Sequence, residues 1–317
     1  MYFAMTNVFI DGSAGTTGLR IHDRLAQRPD ITLLALPDDQ RKDSAKRKEM
    51  LNAADIAFLC LPDAAAIEAA TLVENSDTVI IDTSTAHRVD PGWTYGFPEI
   101  LPDDQAVSTA KRIANPGCHA SGFIALVAPL VRGGILDPAA QLTCFSLTGY
   151  SGGGKSMIAQ YENAANQDEL LAAPRVYGLS QQHKHLSEMV KMCDLGQAPI
   201  FCPTVAPYYA GMEVCVPVFA SQVAGDKAAI EQAYEQFYAS DTRGVVHFAP
   251  ESEAAEGGFL SAAAFAGRDD MQVSVCGTDE RLLLVARFDN LGKGSSGAAI
   301  QNMNLVLGVD PTLGLNV

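Results

Sequence analysis

The stretch Asn7-Val8-Phe9-Ile10-Asp11-Gly12-Ser13-Ala14-Gly15-Thr16-Thr17-Gly18 decides the fold. An apolar strand runs into a glycine-rich turn, and Leu19, Ile21, His22 and Leu25 then recur at helical spacing before Pro29. Strand, glycine turn and helix in that order are what a dinucleotide-binding unit requires. Glycines let the backbone approach a pyrophosphate, and the helix start offers N–H donors. The spacing is G-x-x-G-x-x-G rather than the commoner G-x-G-x-x-G, and a generic βα turn would use the same residues. Gly12, Ser13, Ala14, Gly15, Thr16, Thr17 and Gly18 are therefore the expected cofactor cradle. Strand-like runs at residues 31–36, 55–61 and 78–81 alternate with helical segments at 41–51 and 64–73. That alternation predicts an α/β fold with a Rossmann-type, doubly wound parallel sheet.

An NAD site usually has an acidic residue closing the second strand. Here the strand runs out at Leu36, and Asp38, Asp39, Arg41 and Lys42 follow. Arg41 and Lys42 either pair with a 2′-phosphate, which favours NADP(H), or form a solvated helix start. Leu61 and Pro62 end the third strand and should border the cofactor crevice. Asp82-Thr83-Ser84-Thr85-Ala86-His87-Arg88 follows the fourth, at the carboxyl edge where ligands bind in open α/β sheets. Arg88 is a candidate for gripping a substrate carboxylate or phosphate; a surface arginine is the plainer alternative.

The second decisive stretch is Asn115-Pro116-Gly117-Cys118-His119-Ala120-Ser121-Gly122. Pro116 and Gly117 predict a tight turn between a short strand at 112–114 and a helix striped by Phe123, Leu126, Val127, Leu130 and Val131. Pro129 inside that stripe predicts a kink or an early end. At the turn's exit, Cys118 faces the positive end of the helix, which favours the nucleophilic thiolate. A buried structural cysteine is the competing reading.

A chain of 317 residues has room for two domains, and its 48% apolar content is ordinary for a globular protein. A net charge of −15 argues against nucleic acid or an anionic membrane as partner, while local arginines can still serve an anionic small molecule. The seven cysteines are scattered and never CxxC, against a disulfide framework or structural zinc. Without a signal-like N-terminus or a long apolar run, the expected location is cytoplasmic.

Further on, Gly149-Tyr150-Ser151-Gly152-Gly153-Gly154-Lys155-Ser156 formally fits a P-loop, so an Mg-ATP phosphotransferase competes. Against it, the better-placed dinucleotide unit stands at the chain start, and no later strand ends in a convincing Mg²⁺-binding aspartate. In His183-Lys184-His185-Leu186-Ser187-Glu188, His185 and Glu188 lie one helical turn apart, the arrangement that orients a general acid/base. Metal binding through His183 and His185 is the rival, with no third ligand at diagnostic spacing. A second glycine-rich loop, Asp289-Asn290-Leu291-Gly292-Lys293-Gly294, enters a helix at about residue 298 and is placed to close over a cofactor.

Together these motifs, with Tyr95-Gly96-Phe97-Pro98-Glu99, resemble the N-acetyl-gamma-glutamyl-phosphate reductases, semialdehyde dehydrogenase relatives, in their shorter form. The order and spacing of the motifs along the whole chain carry the likeness. In the longer form an acidic-Phe-Arg ending stands where Ala86-His87-Arg88 does, and a proline stands at Ser187. The resemblance implies NADPH-dependent reduction of N-acetyl-L-glutamyl 5-phosphate to the 5-semialdehyde through a thioester on Cys118, with His185 or His183 as general acid and Glu188 assisting. It implies that Arg88, Ser84, Asn115 and, more weakly, Lys155 hold the substrate. Ser84, Gly152, Asn290 and Lys293 would join Arg41, Leu61 and Pro62 at the cofactor, and no metal is used. It further implies a Rossmann domain at 1–117 and 292–317, an α+β substrate and dimerisation domain at 118–291, and a homo-oligomer, dimer or tetramer. An aspartate-semialdehyde-type reductase would share the mechanism and differ only in its substrate pocket.

Overall fold

A computed structural model describes residues 5–101, 105–163, 168–239 and 245–317. By its contacts the chain divides into two units, Met1–Pro116 with Ser295–Leu315, and Gly117–Gly294 with Asn316–Val317.

The first unit begins with β1 (Thr6–Asp11), α1 (Thr16–Leu25), β2 (Ile31–Leu34), α2 (Ser44–Ala53), β3 (Ile56–Leu59), α3 (Asp63–Leu72), β4 (Val79–Asp82), β5 (Thr94–Tyr95) and β6 (Arg112–Ala114). Every pairing is parallel, in the order β2-β1-β3-β4-β6-β5. Strands buried on both faces read as unbroken apolar runs, and β3 and β4 are buried at every residue. One face packs Val8, Ile10, Phe58 and Ile81 on Ile21 and Leu25 of α1. The other packs Phe9, Leu59 and Ile80 on Leu51 of α2 and Ala66 and Ala69 of α3.

The second unit carries α4 (Cys118–Arg132), β7 (Thr143–Gly149), α5 (Gly154–Glu162), β8 (Arg175–Val176), α6 (His185–Met192), β9 (Ile200–Ala206), β10 (Met212–Phe219), α7 (Lys227–Ala239), β11 (Val246–Phe248), α8 (Glu251–Ala254), β12 (Met271–Thr278) and β13 (Arg281–Phe288). Its mixed sheet runs β11-β12-β13-β10-β7-β9-β8, with only β7–β9 and β11–β12 parallel. α4 packs on β10 and β13 and against α6 and α7. Gly122 of α4 is small because the sheet is so close: a Cβ there would stand 2.5 Å from a Val214 methyl and 2.8 Å from the Phe288 ring. A π-helical turn at Gly292–Ser296 then leads into α9 (Gly297–Leu307), whose Ile300 and Met303 return to the core of the first unit. No helix among the described residues is long and apolar enough to cross a membrane.

Four local expectations are corrected. β2 stops at Leu34, and residues 38–40 form a 3₁₀ turn. α2 starts only at Ser44, because the Asp43 carboxylate caps it by accepting from the N–H groups of Ala45 (2.9 Å) and Lys46 (3.1 Å). Arg41 and Lys42 therefore sit on the connecting loop rather than in a helix. The entry to α4 is extended rather than a tight turn, with Gly117 at φ −80°, ψ 143°. Finally, Pro129 does not end α4, which runs on to Arg132. A proline removes the N–H that would bond the carbonyl four residues earlier. That carbonyl, on Ala125, accepts the Tyr238 hydroxyl at 2.6 Å instead, and the Leu126 carbonyl accepts the Tyr234 hydroxyl. Two tyrosines of α7 thus replace the lost helix bond.

Candidate active site

In the first unit, Gly12 ends β1 at φ +89°, where a Cβ would stand 2.3 Å from the Cys60 carbonyl oxygen. A Cβ on Gly18 would stand 2.5 Å from the Gly12 carbonyl oxygen. Both positions thus require glycine, the first for its dihedral and the second for its crowding. The resulting bare backbone leads into the N-terminus of α1, where Thr17 Oγ1 meets Ser295 Oγ at 3.0 Å. Beside it a cavity of about 420 Å³ is lined by Gly12, Ser13, Ala14, Leu61, Arg41 and Lys42, among others. Its rim of bare N–H groups and two cations has the chemistry of a nucleotide phosphate site. No carboxylate from the end of β2 lines it. Arg41 meets Asp38 in an exposed pair at 2.7 Å.

Sequence reading missed a buried pair in the same cavity wall. Arg47 of α2 donates Nε and Nη2 to Asp11 Oδ2 at 3.0 and 2.9 Å, tying α2 to the end of β1. Burial lifts the Asp11 carboxyl above its ordinary range, and the Arg47 guanidinium pulls against that rise.

The loop after β4 is braced from within. Asp82 accepts the Ser84 hydroxyl at 2.7 Å and meets His87 Nδ1 at 2.6 Å, and the His87 ring stacks on Trp93. Arg88 donates Nε to the Asn115 carbonyl (2.8 Å) and Nη2 to that of Thr83 (3.1 Å). Asn115 in turn donates Nδ2 to the Ser295 carbonyl at 3.0 Å and accepts from Asn302 at 3.3 Å. Ser84, Arg88 and Asn115 thus form one buried frame at the carboxyl edge of the sheet.

In the second unit, Cys118 is the half-buried first residue of α4. The Glu188 carboxylate of α6 accepts the Gly117 N–H through Oε2 at 3.0 Å, while its Oε1 lies 4.0 Å from His185 Nε2. The His185 N–H donates to His183 Nδ1 at 3.2 Å, so a neutral His183 carries its proton on Nε2. The two rings meet edge to face with centroids 4.6 Å apart. His119, quoted beside Cys118 but given no part, lies under both rings at 5.8 and 5.6 Å. Its Nδ1 meets Ser146 Oγ at 2.7 Å, and its Nε2 meets the Tyr177 hydroxyl at 2.5 Å. Burial first, and the His183 charge second, hold His119 neutral, down from 6.5 to about 3. A histidine next to a candidate nucleophile was a visible signal; Tyr177 and Ser146 offered none.

Gly152, Lys155, Asn290 and Lys293 also belong to this unit. Gly152 and Lys155 are exposed, and Lys293 is buried. Asn290 donates to Ser151 Oγ at 3.0 Å and accepts the Gly211 N–H at 2.9 Å, joining two loops. The P-loop-like stretch leaves β7 of the mixed sheet through a 3₁₀ turn at Tyr150–Gly153.

The family model described as "Semialdehyde dehydrogenase, NAD binding domain" matches residues 7–108, and "Semialdehyde dehydrogenase, dimerisation domain" matches residues 118–290. An N-acetyl-gamma-glutamyl-phosphate reductase of Sinorhizobium medicae is 44% identical over 95% of this chain and 98% of its own. N-acetyl-gamma-glutamyl-phosphate reductase 2 of a Nostoc species is 43% identical over 97% and 98%. The solved aspartate semialdehyde dehydrogenase II of Vibrio cholerae superposes with a TM-score of 0.72 over 96% of this chain and 99% of its own. At 17% identity that likeness is one of fold.

The depressed His119 makes a signed prediction. Below pH 6.5 the unfolded chain binds a proton that the folded ring refuses until about 3. Folding therefore loses roughly 1.4 kcal/mol per pH unit across that window, and the loss disappears as pH rises above it. His119→Gln removes this term. Its melting temperature relative to wild type should climb by about 3–5 °C for each unit between about pH 6 and about pH 4.5. A difference that stays flat with pH would show that His119 protonates freely in the folded chain.

Proposed function

The chain belongs to the N-acetyl-gamma-glutamyl-phosphate reductases of the semialdehyde dehydrogenase family, and from that membership we propose the part each residue plays. The enzyme is an NADP-dependent oxidoreductase of arginine biosynthesis that reduces N-acetyl-L-glutamyl 5-phosphate to the 5-semialdehyde and releases phosphate. One observation carries the assignment of residues: Cys118 opens a buried helix whose preceding N–H is held by Glu188, the carboxylate that also faces His185.

Cys118 is the nucleophile. The positive end of α4 favours its thiolate, and the N–H groups there serve the oxygen that becomes anionic when sulphur attacks the acyl phosphate. Phosphate leaves and a thioester remains. NADPH, when bound, supplies the hydride that this thioester accepts. His185 is the general acid that protonates the resulting oxyanion, oriented by Glu188 and by its N–H bond to His183. Collapse of the thiohemiacetal, with its hydroxyl proton returned to His185, then frees the aldehyde and restores the thiolate. The glycine cradle at residues 12–18 holds the cofactor pyrophosphate, with Leu61 and Pro62 bordering it, and Arg41 and Lys42 meet the 2′-phosphate. Arg88, within the frame that includes Ser84 and Asn115, serves the substrate's anionic end, with Lys155 as a second cation. Gly152, Asn290 and Lys293 close over the nicotinamide half.

The partner is a second copy of this chain, docked on the open face of the mixed sheet. α4 covers one face, while the other exposes Phe145, Ile200, Phe219 and Leu283 on four adjacent strands. A contiguous apolar face of this kind is what a homodimer buries, and the relevant family model is described as a dimerisation domain. The enzyme works in the cytoplasm, where thiols stay reduced, and none of its seven cysteines is in a disulfide.

Three measurements test this reading. Phosphate-dependent NADP⁺ reduction with N-acetylglutamate semialdehyde should proceed in wild type and fall below about one-thousandth in Cys118→Ser. Activity retained in that variant, or confined to aspartate semialdehyde, overturns nucleophile or substrate respectively. Arg41→Ala should raise KM for the NADP couple about tenfold and leave the NAD couple nearly unchanged; an equal rise in both removes Arg41 from the 2′-phosphate. Phe145→Glu should shift light-scattering mass from the oligomer toward one chain, and an unchanged mass places the interface elsewhere.

A further inference from the structure

The cavity beside the glycine cradle holds one group that the roles above leave unused. Among the described residues lining it, Asp11 is the only acidic one, and it stands immediately before Gly12, the first residue of the cradle. Its side chain is buried, so water screens its charge poorly. A bare carboxylate at that place repels the same phosphates that the cradle's N–H groups attract.

The structure supplies one counter-charge. Arg47 lays an edge of its guanidinium along the carboxylate, with Nε 3.3 and 3.0 Å from the two oxygens and Nη2 2.9 Å from Oδ2. Among the described residues, that carboxylate has no other hydrogen-bond partner. On the remaining nitrogen of the fork, Nη1 lies 3.8 Å from Oε1 of Glu68, an exposed residue of α3. Arg47 therefore meets carboxylates on both sides and is committed before any anion enters the cavity. The other ionisable groups around Asp11 are Cys60, His22 of α1, and Arg41 and Lys42 on the loop before α2. Burial above all pushes the Cys60 thiol up to about 12, which keeps it uncharged.

We infer that Arg47 is a positioning residue for the cofactor that acts through Asp11: its guanidinium cancels the one carboxylate in the cavity wall and so admits the pyrophosphate, while touching no cofactor atom itself. The inference rests on the cofactor lying in this cavity. It separates Arg47 from Arg41, whose proposed partner is the 2′-phosphate. NAD and NADP share the pyrophosphate, so masking Asp11 serves both cofactors alike.

Titration calorimetry of the intact protein with NADP⁺ and NAD⁺ is the test. Arg47→Met should weaken both cofactors about tenfold at about pH 9 and little at about pH 6. Burial is the largest influence on Asp11 and raises its carboxyl, so without Arg47 the group keeps its proton at the lower pH and bears its charge at the higher. Adding Asp11→Asn to that variant should return both affinities to within about threefold of wild type at either pH. Asp11→Asn alone should lower the melting temperature, because it takes a charged partner from a buried guanidinium, and yet tighten both cofactors. A mere tie between α2 and β1 predicts the opposite, with binding weakened in every variant. A double variant that binds as poorly as Arg47→Met, or an Asp11→Asn variant that binds no tighter than wild type, overturns the inference. Where Arg47→Met fails to fold, Asp11→Asn decides alone. Ala14→Glu, on an exposed cradle residue, checks the premise: NADP⁺ binding as in wild type would place the cofactor elsewhere and remove both readings.

Discussion

Helix α4 is buried from His119 to Leu130, and a helix buried on every side must satisfy its end groups without water. Each awkward group has a side chain assigned to it. The Glu188 carboxylate takes the Gly117 N–H, the Ser121 hydroxyl donates to the Gly117 carbonyl, and Tyr238 and Tyr234 take carbonyls near Pro129. These bonds pin the helix at its start and at its middle. Cys118, as its first residue, inherits a position set by four side chains from two other segments and from α4 itself. Losing Glu188 would therefore leave a buried N–H unpaired, loosen the placement of Cys118, the proposed nucleophile, and remove the carboxylate facing His185.

The first unit meets a different constraint, the approach of bare backbone to an anion in a chain of net charge −15. Charges farther apart than about 10 Å are largely screened by salt, so the cavity answers to its own walls. Those walls hold Arg41, Lys42 and the neutralised pair of Arg47 with Asp11. The pair adds little net charge and instead fixes α2 against β1. That rigidity holds the loop carrying the two remaining cations beside the glycine cradle.

Much of this was legible along the chain because the deciding relations are local. Buried parallel strands read as apolar runs, Gly12 and Gly18 are demanded by one turn, and His185 and Glu188 are spaced by one helical turn. Relations that depend on sheet register were not legible. Tyr177 reaches His119 across 58 residues and Ser146 reaches it across 27, because β7 lies beneath α4 in a mixed sheet. Arg47 reaches Asp11 across 36. Polar residues that look ligand-ready in sequence, such as Ser84, Asn115 and Asn290, have side chains engaged in bracing their own loops. The continuation of α4 past Pro129 was not legible for the same reason, since the tyrosines that take the nearby carbonyls lie on α7, far along the chain.

Three imidazole rings stand within 6 Å of one another beside a cysteine, and that crowding limits what they can do. Charging one ring disfavours charging its neighbours, and burial adds to the cost. The structure resolves the conflict by depth. His119, deepest and bonded at both nitrogens, is held neutral, so it organises hydrogen bonds without titrating. His183 gives its Nδ1 to the backbone N–H of His185 and is fixed as the Nε2–H form when neutral. The His185 ring stands 4.0 Å from the Glu188 carboxylate, a neighbour that favours its charged form. Under the proposed mechanism His185 would give and regain the proton, while His119 and His183 set its surroundings.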